Sequence, residues 1–252
     1  MKGFTWLDER PIVVALAGPN GGGKTTFYRA HLEPAALRFV SADVLAHDLA
    51  LEPYAAARAA DALRRELVKL RESFVFETVF SDPVGDKLAF LKETAGSGYN
   101  VVLIFIGIAG PQVSEERVAM RVSQGGHDVP TEKLKSRFPR TLANLEAAIR
   151  VLPHVLVFDN DDLREPFRRV AVFEQGQLVQ SAPKLPRWFK PMLERCSYTS
   201  TSDRNVTGSR PGASPPLAGP HRSGRGTPRP ARCPRSSRGG RLPRPARDAR
   251  AR

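Results

Sequence analysis

The sequence predicts an α/β fold, with a parallel sheet of about five strands, helices on both faces and a disordered basic C-terminal tail. Three observations predict it. Apolar runs alternate with helical patterns along the first two thirds of the chain. The first run, Ile12–Ala17, leads without a gap into Gly18-Pro19-Asn20-Gly21-Gly22-Gly23-Lys24-Thr25, which fits G-x-x-x-x-G-K-[ST]. Beyond residue 196 the composition switches to Arg, Pro, Gly and Ser.

The glycine loop gives the fold its type. Strand, glycine loop and helix in that order make a phosphate-binding P-loop, so the fold class is a kinase-like P-loop NTPase. Without Cβ atoms in the way, backbone N–H groups converge on phosphate oxygens. The helix that follows adds free N–H groups and partial positive charge. Lys24 is placed to reach the β and γ phosphates, and the Thr25 hydroxyl to ligate Mg²⁺. The cofactor-binding residues expected from the motif are Gly18, Pro19, Asn20, Gly21, Gly22, Gly23, Lys24, Thr25 and Thr26.

The further strands are expected at Leu37–Ser41, Phe74–Thr78, Val101–Ile108 and Val155–Asp159. Pro53–Arg71, rich in Ala, Leu and Arg, reads as a long helix. Lys87–Ala95 reads as a second, closed by Gly96-Ser97-Gly98. Ser114–Ser123 opens on Ser114 as a plausible cap ahead of two glutamates. Glu132–Leu152 is helical, with an interruption foreseen at Pro139. Val170–Phe173 and Leu178–Val179 flank a turn and read as a terminal hairpin.

In such sheets ligands bind beyond the carboxyl ends of the strands. That rule selects Asp43, Glu77 with Thr78, and Asp159 with Asn160. Asp43 can orient or deprotonate a hydroxyl, or it can cap the helix that begins at Val44. Glu77 and Thr78 end an apolar strand, where a carboxylate needs a ligand, a partner or solvent. Substrate binding or a link to Mg²⁺ suits them. Arg117 and Arg121 share a helix face, and Gly125-Gly126-His127-Asp128 follows, with Arg137 beyond. Arg121 and Arg137 flank that glycine hinge, which suits a lid closing over a transferring phosphoryl group. His127 either contacts substrate or stabilises the turn.

Charge is unevenly spread. Residues 1–196 carry 26 Lys+Arg against 24 Asp+Glu, whereas residues 197–252 carry 13 Arg against two Asp. Arginine recurs at every third position from Arg232 to Arg250. The tail cannot bury enough apolar surface to order itself. It reads as a contact for nucleic acid or another polyanion, or as a GC-rich stretch translated out of frame. The domain boundary expected from composition is at 196. Cys196 and Cys233 show no redox or metal spacing. The N-terminus lacks a secretory pattern, and the longest apolar stretch is too short for a bilayer. A cytoplasmic protein without membrane contact is expected.

Taken in order, Gly18–Thr25, Ser41-Ala42-Asp43, Phe76-Glu77-Thr78, Gly98-Tyr99, Arg117-Val118, Arg121-Val122, Gly125-Gly126-His127-Asp128-Val129-Pro130, Arg137 and Phe158-Asp159-Asn160 resemble the zeta toxin family of P-loop kinases. The likeness runs over about residues 10–180. Ser41 stands where the family often has Asn. The resemblance implies phosphoryl transfer from ATP, with Mg²⁺, to a hydroxyl of a nucleotide sugar, UDP-N-acetylglucosamine in characterised members. Carried over, Lys24 and Thr25 hold ATP and Mg²⁺, and Asp43 is the base or orienting group. Glu77 and Thr78 bind the acceptor, Arg121 and Arg137 stabilise charge, and Asn160 lies near the adenine. A toxin of this family would bind a protein antitoxin. Two alternatives stay open: a P-loop ATPase of non-kinase type, and a kinase of another small hydroxyl substrate. An ABC-type Leu-Ser-Gly-Gly-Gln signature is missing, and Ser123-Gln124-Gly125-Gly126 matches it poorly.

Overall fold

The computed structural model describes residues 4–125 and 128–202, with side chains as far as Cys196. Gly126, His127 and residues 203–252 lie outside the described residues, and with them the expectations for His127 and most of the tail.

The strands are β1 (Ile12–Ala17), β2 (Arg38–Val40), β3 (Phe74–Thr78), β4 (Asn100–Gly107), β5 (His154–Asp159), β6 (Arg168–Glu174) and β7 (Gln177–Ser181). They form a seven-stranded sheet in the order β2-β3-β1-β4-β5-β6-β7. β1 to β5 are mutually parallel, as the sequence predicts. The terminal hairpin joins the same sheet antiparallel, β6 against β5 and β7 against β6, which raises the strand count from five to seven. β1 is thus central, and its register with β3 sets Leu16 beside Glu77 and Ala17 beside Thr78.

Each central strand feeds two cores because successive side chains point to opposite faces. Val13, Ala15 and Ala17 of β1 join Phe76 and Phe105 in one core; Ile12, Val14 and Leu16 join Ile104 and Phe158 in the other. Both faces being covered explains why these strands read as continuous apolar runs rather than alternating ones. The helices are α1 (Lys24–Phe27), α2 (Ala42–Asp48), α3 (Pro53–Lys69), α4 (Asp86–Gly96), α5 (Pro111–Ser123), α6 (Thr131–Val151) and α7 (Lys190–Ser202). Residues of α3, α4, α6 and α7 cover the first face, while Trp6, Phe27 and Leu32 cover the second.

Three local expectations need correction. α5 begins at Pro111, with Gly110 ahead of it, so Ser114 is not its cap. The Ser114 side chain is buried and donates to the Asn20 carbonyl at 2.7 Å instead. α6 runs through Pro139 unbroken, because Leu134, Phe138, Thr141 and Leu145 are buried on its inner face and outweigh the one hydrogen bond proline removes. Asp43 lies in the first turn of α2, and Ser41 holds the cap position, which removes the capping explanation for Asp43. α7 continues across residue 196 to Ser202.

Candidate functional site

The glycine loop sits at the carboxyl end of β1 and turns on positive-φ backbone. Gly18 has φ 145°, and a Cβ there would fall 2.3 Å from the Ile106 carbonyl oxygen on β4. Gly23 has φ 91°, and a Cβ there would meet the Asn160 amide nitrogen at 2.6 Å. Glycine is therefore required by both conformation and space.

Three side chains clamp the loop from outside. Ser114 holds Asn20, as above. Arg117 Nη1 donates to the Gly21 carbonyl at 3.4 Å and its Nη2 to the Asp161 carbonyl at 3.0 Å. Asn160 is buried; its amide donates to the Gly22 carbonyl at 2.9 Å, and its side-chain oxygen accepts from the Phe167 N–H at 3.3 Å. Asn160 is thus packed against the loop, with both ends of its amide occupied.

Lys24 is buried within the loop. Its Nζ donates to the Gly18 and Pro19 carbonyls at 3.1 and 3.0 Å and lies 3.8 Å from Glu77 Oε1. Burial pushes the ammonium below its ordinary 10.5; the Glu77 and Asp43 charges pull it back up, and Arg121 adds to the lowering. Thr25 Oγ1 donates to Glu77 Oε2 at 3.0 Å. One carboxylate thus faces both the loop lysine and the Thr25 hydroxyl. This cluster of hard oxygens fits a Mg²⁺ ion with its retained waters.

Beside the loop lies a cavity of about 180 Å³ lined by residues that include Asp43, Glu77, Thr78, Arg64 and Lys87. Asp43, Glu77 and Thr78, picked from strand ends, are therefore brought together. Thr78 also accepts from the Phe80 N–H at 3.0 Å. Asp159 does not join them: Arg168 and Trp188 donate to its two oxygens at 3.1 and 2.9 Å.

Arg121, on α5, is close enough for its charge to act on Lys24. Arg137, on α6, stands one turn before Thr141, whose buried hydroxyl donates to the Val79 carbonyl just past β3. A Lys135–Glu115 ion pair at 3.9 Å joins the two helices beside the glycine turn, where Gly125 has φ 85°.

Two lining residues escaped the sequence reading. Arg64 is buried, paired with Asp61, and stacked 4.8 Å over the Phe76 ring. Lys87 donates to Asp61 at 2.8 Å. A signal for Arg64 existed: it falls on the stripe of Ala56, Ala60 and Leu67 that α3 buries.

Residues 50–169 match the family model described as zeta toxin. This stretch, a little under half of the chain, is similar to the zeta toxin family. The matched stretch holds Glu77, Thr78, Arg121, Arg137 and Asn160, while the glycine loop and Asp43 precede it. No curated protein matches the sequence. Among solved structures, the AvrRxo1-ORF1:AvrRxo1-ORF2 complex with sulphate ions matches at 18% identity and TM-score 0.50, over 73% of this chain and 64% of that one. The PezAT chromosomal toxin-antitoxin system of Streptococcus pneumoniae matches at 16% identity and TM-score 0.47, over 79% of this chain and 89% of that one. Shikimate kinase from Acinetobacter baumannii matches at 17% identity and TM-score 0.41, over 62% and 87%. The first of these likenesses speaks for the fold. The zeta toxin match, together with the glycine loop on the end of β1, supports an ATP-dependent phosphotransferase of the P-loop kinase type. Among the described residues, no helix is long and apolar enough to cross a membrane.

Proposed function

We propose that this domain transfers the γ-phosphoryl group of ATP to a hydroxyl of a nucleotide sugar, with UDP-N-acetylglucosamine the favoured acceptor. The observation that carries the reading is the cavity in which Asp43 and Glu77 open beside the lysine of the glycine loop. An acceptor hydroxyl seated there lies between a carboxylate and the phosphate site, as in-line transfer requires.

Each residue then has a task. The Gly18–Thr25 backbone and Lys24 hold the phosphates; Thr26, exposed in the first turn of α1, belongs to the same set. Mg²⁺ held at Thr25 would neutralise charge on the phosphates. Asp43 takes the proton of the attacking hydroxyl or orients it. Glu77 and Thr78 line the acceptor's place, and Glu77 also stations Thr25. Arg121 and Arg137 close from α5 and α6 onto the charge that develops in the transition state. His127, which lies in sequence between α5 and α6, serves as an acceptor contact. Asn160 positions the loop through Gly22, on the adenine side of the site. A protein antitoxin that blocks the ATP site is the partner this reading implies.

Asp43→Asn and Lys24→Ala test the reading. With Mg-ATP and UDP-N-acetylglucosamine, mass spectrometry should find the acceptor plus one phosphate for the unmodified chain and none for Lys24→Ala. Asp43→Asn should lower kcat by about 10²–10⁴-fold with ATP affinity nearly unchanged. A fully active Asp43→Asn enzyme refutes the base assignment.

A further inference from the structure

Asp159 ends β5 with a buried carboxylate that the reaction above does not use. What it holds is the chain that follows the hairpin. Trp188 Nε1 donates to its Oδ1 at 2.9 Å, and Arg168 Nη2 to its Oδ2 at 3.1 Å. Arg168 also donates through Nη1 to the Lys184 carbonyl at 2.8 Å, so one guanidinium fastens both the carboxylate and the returning chain. The indole packs 6.1 Å from the Phe105 ring and 5.4 Å from that of Phe189, which is fully buried in the first core. Residues 184–189 thus form a strap at the carboxyl ends of β4 and β5. The strap lies beyond the stretch that matches the family model, which stops at residue 169.

The indole rests directly on Gly107, the last residue of β4. A Cβ on Gly107 would overlap the six-membered ring, so glycine is required there by space. Gly107 is the register partner of Asp159 across β4 and β5. Its carbonyl accepts the Asn160 N–H at 2.9 Å, and the Asn160 side-chain amide donates to the Gly22 carbonyl of the glycine loop, also at 2.9 Å. Trp188 therefore touches both residues on which Asn160 is built. It bonds Asp159, the preceding residue, and it packs on Gly107, which holds the Asn160 backbone. A buried carboxylate that loses one of its donors is drawn toward water. Asp159 is joined to Asn160, so that displacement passes to the glycine loop.

We infer that Trp188 is a positioning residue for the nucleotide: acting through Asp159, Gly107 and Asn160, it sets the glycine loop in the place where it receives the phosphates. The inference rests on the ATP-dependent kinase reading and adds to it a requirement for the strap after the hairpin.

The test is calorimetric titration of the full chain with a non-hydrolysable ATP analogue and Mg²⁺, well below the melting temperature. Trp188→Phe keeps a ring on Gly107 and removes the N–H donor; it should weaken the analogue several-fold. Asn160→Ala should weaken it at least as much, and the double variant no further than Asn160→Ala alone, because both act through one contact. A role confined to general packing lowers the melting temperature without that coupling. Should Trp188→Phe fail to fold, Trp188 emission decides, read in Trp6→Phe so that Trp188 is the one indole present. Saturating analogue should shift that emission, and Asn160→Ala should abolish the shift. Unchanged affinity in Trp188→Phe, losses that multiply in the double variant, or emission indifferent to the analogue overturns the inference and leaves the kinase reading standing. An unmodified chain that binds no analogue sinks the kinase reading, and this inference with it.

Discussion

Lys24 is held by the loop it serves, and the contacts that hold it are ones a nucleotide would replace. Its ammonium rests on the Gly18 and Pro19 carbonyls and beside Glu77. Glu77 therefore does two jobs, stationing Thr25 and balancing Lys24. Glu77→Gln should raise the Mg²⁺ concentration needed for half-maximal ATP binding, read by calorimetry at several Mg²⁺ levels; unchanged Mg²⁺ dependence would separate Glu77 from the metal. His154 carries a separate residue-scale prediction. It stacks on Trp6 at 4.1 Å, its Nδ1 is buried without a hydrogen-bond partner, and burial holds it below its ordinary 6.5. The fold thus binds a proton there less readily than the unfolded chain does. Stability should fall as the pH drops below about 6.5 and level off once the pH passes the lowered folded value. Thermal melts of His154→Phe should show a smaller loss across that window; an identical profile would remove His154 from the account.

At the scale of elements, the glycine loop is built by its neighbours as much as by its own residues. β4 crowds Gly18 through Ile106, α5 reaches Asn20 and Gly21, and the loop after β5 reaches Gly22 through Asn160. Gly18→Ala combines a left-handed φ with a backbone clash and should cost at least ~1–3 kcal/mol in chemical denaturation. Asn160→Ala should cost about 1–3 kcal/mol by leaving the Gly22 carbonyl unpaired, and should raise KM for ATP. A stable Asn160→Ala enzyme with normal KM would show that the loop holds its shape unaided. Most of these elements were legible in the sequence. β1 and β3 have the predicted bounds because apolar runs bounded by polar residues are short and sharp. The cap of α5 and the course of α6 through Pro139 were not legible, since tertiary packing decided both. Arg64 is not legible from the composition of α3, because richness in Ala, Leu and Arg does not say which arginine falls on the buried face with Ala56, Ala60 and Leu67. Lys87 stands in the first turn of α4, where the helix dipole disfavours a cation, and its pairing with Asp61 of α3 offsets that cost.

Over the whole molecule, the site is assembled from segments between Gly18 and Asn160, all at the carboxyl edge of the five parallel strands. The first 196 residues are nearly neutral and the remainder strongly basic. Catalysis therefore should not depend on the last residues. A chain ending at Ser202, where α7 ends, should keep kcat/KM for ATP within about twofold of the full chain. Any salt-dependent affinity for nucleic acid should disappear with the tail. A large loss of kcat/KM on that truncation would tie the tail to the site.

The central claim is transfer to a hydroxyl and not to water. ³¹P NMR of Mg-ATP and UDP-N-acetylglucosamine with the full chain tests it most directly. The account predicts a new phosphomonoester resonance that grows in step with ADP. ADP accompanied only by inorganic phosphate would contradict it and return the domain to the ATPases.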